Sequence, residues 1–259
     1  MATPLGAALQ TGAPGAARST VLTLAGDWQW KAWDHFLDSL RTGEPGLKVG
    51  TGKSLFDFLA ANPEDGARFD EAMIGMNGAL GHALLEAYDF SKFSTVVDVG
   101  GGTGRLLETI LRANENQIGI LFKQPATAAL AHKRFQNSGL AKRWEVVEGD
   151  FFESMPFGHD AYILSHVLHD WNDEQYVSIL RNRRRAMAPE GRLLIVEAVL
   201  PPGDVPHHGK MMDLLMLTVT GGKERTAAEF DDLLAAANFA MARVVSTSTH
   251  QSIIDAMPV

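Results

Sequence analysis

Short apolar runs alternate with helical patterns along the chain from about residue 94 onward. The apolar runs predict strands at residues 95–99, 118–122, 144–148, 161–164 and 192–199. Helical spacing lies between them at residues 105–112, 126–135 and 174–187, and a last helix at 226–238 precedes strand-like runs at 242–248 and 251–256. Apolar strands that alternate with helices are typical of a parallel sheet covered on both faces. The pattern therefore predicts a doubly wound α/β domain over residues 91–259.

The first 90 residues follow a different pattern. Residues 1–19 are rich in Ala, Gly and Pro without periodicity, which predicts a tail. Apolar residues recur at helical spacing over 28–40 and again over 64–88, and a glycine-rich loop is predicted between them at 42–53. We therefore expect a helical segment over residues 20–90, ahead of the α/β domain.

Composition and charge exclude several classes of function. The 259 residues carry a net charge of -8, which disfavours nucleic acid as a partner because phosphate binding needs a basic surface. The absence of cysteine excludes disulfides, thiol nucleophiles and zinc sites that need sulfur. No apolar run approaches the ~20 residues that span a bilayer, and the N-terminus lacks the features of a secretory signal. We expect a cytoplasmic protein without a membrane partner.

A glycine-rich turn follows the first predicted strand and reads Asp-Val-Gly-Gly-Gly-Thr-Gly over residues 98–104. Glycines there let the backbone approach a ligand closely, and the helix N-terminus offers unpaired N–H groups. The dinucleotide pattern G-x-G-x-x-G fails, because its third glycine, counted from Gly100, would fall on Arg105. The pattern present, D-x-G-x-G-x-G, resembles that of class I S-adenosylmethionine (SAM) methyltransferases. A tight turn without a ligand is the alternative, although four glycines in five positions exceed what a turn needs.

Residues suited to binding or catalysis follow the predicted strands in turn. These are Gly100 after the first strand, Lys123 after the second, Asp150 after the third, His166 and His169 after the fourth, and Glu197 near the end of the fifth. In an open parallel sheet, ligands bind beyond the carboxyl ends of the strands. The sequence therefore predicts a ligand site at this edge, independently of any family.

Five segments together resemble the small-molecule O-methyltransferases of plants and bacteria, of the caffeate type and including polyketide-tailoring enzymes. They are YDFS at 88–91, DVGGGTG at 98–104, GDFF at 149–152, HDWND at 169–173 and GGKERT at 221–226. The resemblance covers about residue 20 to the C-terminus. It implies a Rossmann-like class I methyltransferase sheet, SAM as cofactor and a hydroxylated aromatic small molecule of secondary metabolism as substrate. Family members carry an N-terminal dimerisation domain, and only its last part resembles residues 3–15, so a weakened homodimer is implied.

The resemblance also implies roles for particular residues. His169 would be the general base that takes the proton of the acceptor hydroxyl, and Glu197 and Glu224 match the two acids that flank it. A carboxylate on the far ring nitrogen would fix the tautomer and stabilise the imidazolium. The residues implied at the cofactor are Asp98, Gly100, Gly102, Lys123, Asp150, Phe151 and Ser165.

Each of these roles has a structural alternative. His169 and Asp170 could cap the helix that follows, or could hold a metal ion together with His166 and Asp173, although the family is metal-independent. Glu224 could be loop surface, since a T-x-x-E capping box of Thr226 and Glu229 explains its segment structurally.

Lys123 departs from the family pattern. An acid at this point, about 20 residues past the glycine loop, normally accepts hydrogen bonds from the ribose hydroxyls. Lysine has donors only, so we expect SAM binding to be weaker by about 1.5–3 kcal/mol. A milder departure is Ser165, where plant members often have lysine. Two alternatives follow: a methyltransferase-like protein that performs other chemistry or none, and an NADP-dependent reductase in which Lys123 would meet the 2′-phosphate.

Overall fold

The computed structural model describes residues 2–11, 17–125, 128–140, 142–188 and 190–259. They form two compact units, one of Met1–Ala79 with Asp213–Gly222 and the other of Leu80–Met212 with Lys223–Val259. Residues 12–16 of the predicted tail and residues 126–127 of a predicted helix lie outside the described residues. No described helix is long and apolar enough to cross a membrane.

The first unit is helical. Its helices are α1 (Pro4–Ala8), α2 (Ala17–Leu24), α3 (Asp27–Asp34), α4 (Phe36–Thr42), α5 (Gly46–Thr51), α6 (Leu55–Ala61) and α7 (Pro63–Met76). Trp28, Ala32, Leu47 and Leu55 form its buried core together with Val219. These apolar side chains leave water together, which is the main force that holds such short helices in place.

Two sequence predictions for this region were wrong in detail. The loop predicted over 42–53 contains α5, because Leu47 is fully buried and its segment folds to bury it. Gly43 and Gly52, both at φ 74°, end α4 and α5 in the left-handed conformation that commonly terminates helices. The helix predicted over 64–88 is interrupted after Met76, where Asn77 and Gly78 have low helix propensity.

The second unit contains the predicted sheet. Its strands are β1 (Thr95–Val99), β2 (Ile118–Lys123), β3 (Trp144–Glu148), β4 (Ala161–Ser165), β5 (Arg192–Glu197), β6 (Val199–Leu200), β7 (Arg225–Thr226), β8 (Phe239–Ser246) and β9 (Ser252–Pro258). Seven of them form one sheet in the order β3-β2-β1-β4-β5-β9-β8, while β6 and β7 pair separately. Strands β1 to β5 are parallel, and β9 is antiparallel to both β5 and β8. The predicted α/β fold is confirmed.

Helices cover both faces of this sheet. They are α8 (Leu80–Ala87), α9 (Arg105–Ala113), α10 (Ala128–Asn137), α11 (Asp173–Ala186) and α13 (Ala227–Ala236). Of the remaining helix, α12 (His208–Val219), residues 208–212 belong to the second unit and residues 213–219 to the first. Alternate residues of β4 enter opposite cores, since Tyr162 and Leu164 pack on one side and Ala161 and Ile163 on the other. Burial on both faces explains why the strands are continuous apolar runs.

Strand order reverses direction at β1, which pairs with β2 on one side and β4 on the other. At such a switch point the connections after neighbouring strands leave in opposite directions and open a crevice. The loop after Val99 and the residues after Leu164 therefore border one crevice, because these two residues are paired across the sheet.

Candidate active site

The glycine loop covers a buried carboxylate. Asp98 is fully buried, and neither of its oxygens is hydrogen-bonded within the part of the chain that the structure describes. A Cβ on Gly101 would collide with this carboxylate, whereas a Cβ on Gly102, at φ 55°, would meet nothing within 4 Å. Burial raises the pKa of Asp98 to about 7, against the opposing effects of the nearby Leu107 backbone N–H and of the charge of Lys123. An open cradle of glycine backbone above an unsatisfied acid fits a polar cofactor that carries hydrogen-bond donors.

Lys123 ends β2 beside this loop and is 7% exposed. Its Nζ donates a hydrogen bond to the carbonyl oxygen of Gly102 at 2.6 Å. The side chain thus ties the glycine loop to the sheet, and it brings no acceptor for the ribose hydroxyls. The structure does not supply the acid at this point that the family pattern would have.

Three further predicted cofactor residues lie after β3 and at the end of β4. Asp150 accepts a hydrogen bond from the backbone N–H of Phe152 at 2.8 Å through Oδ1. The Phe151 ring is buried against Phe152 and Trp171, with ring centroids 5.1 and 6.0 Å away. Ser165 is half-buried, and its hydroxyl oxygen lies 3.2 Å from His166 Nδ1.

His169 lies on a short 3₁₀ helix, Leu168–Asp170, just after β4, and is 8% exposed. Its ring Nδ1 is 2.9 Å from Oε1 of Glu224, which is itself buried just before β7. The other ring nitrogen, Nε2, has Asp170 Oδ1 at 3.9 Å, which is beyond hydrogen-bonding distance. A carboxylate on Nδ1 places the ring proton there and leaves Nε2 as the acceptor.

Glu197 supports this segment through its backbone. Its Oε1 accepts hydrogen bonds from the N–H groups of Leu168 and His169, at 2.8 and 3.0 Å. The predicted pair of flanking acids is therefore present, but only Glu224 bonds to the ring itself. Burial raises the pKa of Glu197 to about 7, against the opposing charge of His169.

The carboxylates around His169 set its proton affinity. Burial alone would lower the pKa of the imidazole, since it disfavours the charged form. The hydrogen bond to Glu224 and the charges of Asp170, Glu224 and Glu197 outweigh this effect and raise the pKa to about 10. The ring is therefore a stronger base than an ordinary histidine.

Sequence reasoning missed Arg225, which holds Glu224 and His169 together. Its buried guanidinium donates to the carbonyl oxygens of Leu168 and Trp171, at 3.4 and 2.9 Å, and to Asp173 at 2.8 Å. These acceptors lie on either side of His169, whereas Glu224 immediately precedes the arginine. The GGKERT motif contained this signal, since an arginine between a candidate acid and a helix cap needs acceptors when it is buried.

The structure also bears on the alternative, purely structural roles of these residues. Asn172, and neither His169 nor Asp170, caps α11, because its side chain accepts from the Gln175 N–H at 3.0 Å. The capping box of Thr226 and Glu229 is present and leaves Glu224 outside it. Over the described ranges, no group of His, Asp and Glu side chains is arranged to hold a metal ion.

Comparison with known proteins places the chain among similar sequences and structures. Residues 33–240 match the O-methyltransferase domain family. The phenazine O-methyltransferase PhzM of Lysobacter antibioticus is 46% identical over 257 residues, which cover 99% of this chain and 75% of that protein. The crystal structure of LaPhzM superposes with a TM-score of 0.94 at 46% identity, covering 99% of this chain and 77% of that one.

A further similar structure contains ligands. It is the O-methyltransferase NcsB1 from neocarzinostatin biosynthesis in complex with S-adenosyl-L-homocysteine (SAH) and 1,4-dihydroxy-2-naphthoic acid. Its TM-score is 0.84 at 37% identity, and the match covers 94% of this chain and 74% of that one. The chain thus spans about three quarters of the length of these proteins.

Proposed function

The chain belongs to the SAM-dependent O-methyltransferase family, and from this premise we propose that His169 is the general base for methylation of a hydroxyl group on an aromatic small molecule. The resemblance inferred from the motifs and the assignment of SAM as cofactor are confirmed by the same comparisons. The relative crystallised with a dihydroxynaphthoic acid and the relative named for phenazine methylation support an aromatic acceptor.

The observation that carries the proposal is the contact of 2.9 Å between His169 Nδ1 and Glu224. It leaves Nε2 to accept a proton, and the imidazolium so formed stays next to a carboxylate. The neighbouring carboxylates raise the pKa of His169 towards that of a phenol, ~10, so a neutral His169 ring takes the acceptor's proton at a smaller cost in free energy than an ordinary histidine would.

The residues that would hold SAM are those at the strand ends. The glycine loop with Asp98 offers backbone groups and a carboxylate, and Asp150, Phe151 and Ser165 offer polar and aromatic contacts beside it. When bound, SAM supplies an electrophilic methyl group on a sulfonium. The buried surroundings of His169 favour the transfer, because charge is neutralised as the acceptor oxygen is methylated and water would oppose that.

Substitution of His169 by glutamine tests the proposal. Mass spectrometry with a panel of phenolic acceptors should show turnover reduced by about 10²–10⁴-fold, while calorimetry should show SAH affinity nearly unchanged. His132→Gln is a matched control, because His132 forms an exposed pair with Glu148 at 3.3 Å. Retained turnover in His169→Gln would reject the base, and tight binding of NADPH by the wild type would instead favour a reductase.

A further inference from the structure

His166 occupies a strained turn between β4 and the helix that carries His169. Its φ is 53°, a conformation that few residues other than glycine adopt, and its backbone N–H still donates to the Val196 carbonyl of β5 at 3.2 Å. The next residue, Val167, packs closely against the glycine loop, since a Cβ on Gly100 would lie 2.9 Å from its Cγ2. Such strain persists only where surrounding contacts enforce it, and it concentrates at functional sites.

The enforcing contact comes from the turn between β8 and β9. The side chain of Gln251 is buried, and its Nε2 lies 2.8 Å from His166 Nε2. The turn is itself braced, because the Thr247 hydroxyl donates to the Gln251 carbonyl at 2.7 Å and the Thr249 hydroxyl lies 3.3 Å from Gln251 Oε1. With its oxygen towards Thr249, the Gln251 amide presents its NH₂ group to the imidazole.

These contacts determine where the proton of His166 resides. An amide NH₂ only donates, so His166 Nε2 must be the acceptor and its proton must be on Nδ1. Nδ1 faces the Ser165 hydroxyl oxygen at 3.2 Å and therefore donates to it. Ser165, having accepted this bond, directs its own hydrogen elsewhere.

We propose that Gln251 and His166 form a relay that fixes the Ser165 hydroxyl as a hydrogen-bond donor towards the cofactor. We name it the Gln251–His166–Ser165 relay. In it, Gln251 and His166 are positioning residues, since they act through Ser165. The inference rests on the proposed function, because it takes Ser165 to contact the cofactor.

The relay requires a neutral His166, and its surroundings provide for that. Removal of the ring from water, with the charges of His169 and His250, lowers the pKa of His166 to about 3. Its ring centroid is 5.6 Å from that of His169 in an edge-to-face arrangement. A second positive charge beside a protonated His169 would be repelled, so the two adjacent histidines differ in role as well as in pKa.

The tautomer is measurable without any ligand. In ¹⁵N-histidine spectra, with His166 assigned by loss of its signals in His166→Asn, the wild type should show the proton on Nδ1. Gln251→Glu replaces the donor by an acceptor, so the proton should move to Nε2 or the ring should become an imidazolium. Ser248→Ala, an exposed change in the same turn, should leave the spectrum unaltered. A wild-type proton on Nε2 would overturn the relay.

Calorimetry with SAH tests its effect on the cofactor. Gln251→Ala and Ser165→Ala should each weaken binding by about 10-fold, and the double variant should be no weaker than either single variant, because both remove the same bond. Independent effects that multiply, or unchanged affinity in Ser165→Ala, would overturn the relay alone. A wild type that binds no SAH would instead contradict the proposed function, whatever the tautomer.

Discussion

Replacement of Lys123 by aspartate should strengthen cofactor binding. Lys123 Nζ donates a hydrogen bond to the Gly102 carbonyl oxygen at 2.6 Å, and its side chain has no acceptor to offer to ribose hydroxyls. A carboxylate there would accept a charge-assisted hydrogen bond of about 1.5–3 kcal/mol, which is about one to two powers of ten in Kd. The change also replaces a positive charge by a negative one. Since SAM carries a sulfonium and SAH does not, the gain should be larger for SAM.

Calorimetric titration with both ligands measures these affinities. Lys123→Met is the matched control, because it removes the bond to Gly102 and the charge without adding an acceptor. It should gain little for SAH, and a melting curve of each variant checks that the loop still folds. Equal SAH affinities in the aspartate and methionine variants would refute the reasoning, since the hydrogen bond would then have no effect.

Three other changes test the electrostatics and the packing of the site. Glu224→Gln removes the main contact that raises the pKa of His169. In the pH profile of kcat/KM, the rise in activity on the acid side should therefore move to lower pH, and kcat should fall by about 10–100-fold. An unmoved profile would exclude the pairing of His169 with Glu224. Arg225→Met leaves buried acceptors unsatisfied, so urea unfolding should show that the free energy of unfolding falls by about 3 kcal/mol. A fall of less than about 1 kcal/mol would contradict the role of Arg225 in holding this segment together. Burial holds the pKa of Asp98 near 7 in the folded protein, above its ordinary value of 3.8, so ionisation lowers stability as pH rises between these values. Asp98→Asn should consequently raise the melting temperature relative to wild type at pH 8 and not at pH 4, and an equal shift at both would argue against the raised pKa.

The sheet could be predicted more accurately than the helices. The ends of β1 and β3 agree with the runs at 95–99 and 144–148, because β-branched residues, which favour strands, are concentrated in both. The split of the run 192–199 into β5 and β6 was not predicted, since Ala198 is apolar and the break depends on the partner β7. The helical spacing of apolar residues likewise continues across residues 77–79, although the helix is interrupted there between α7 and α8.

The site was predicted as a set of residues but not as a set of contacts. Motif matching indicated His169 and Glu224 although they are 55 residues apart. It could not indicate that Glu197 bonds to backbone N–H groups, or that Lys123 reaches the Gly102 carbonyl. Such contacts depend on side-chain rotamers and on loop conformation, which spacing along a chain does not encode.

The position of β9 has a consequence for how the protein is made. Strands β1 to β5 can each pair with a neighbour soon after translation, but β9 inserts between β5 and β8 and comes later than both. One edge of β5 therefore stays unpaired until residues 252–258 have left the ribosome. During that interval the nascent sheet presents an open edge, the feature by which strands of separate molecules pair wrongly.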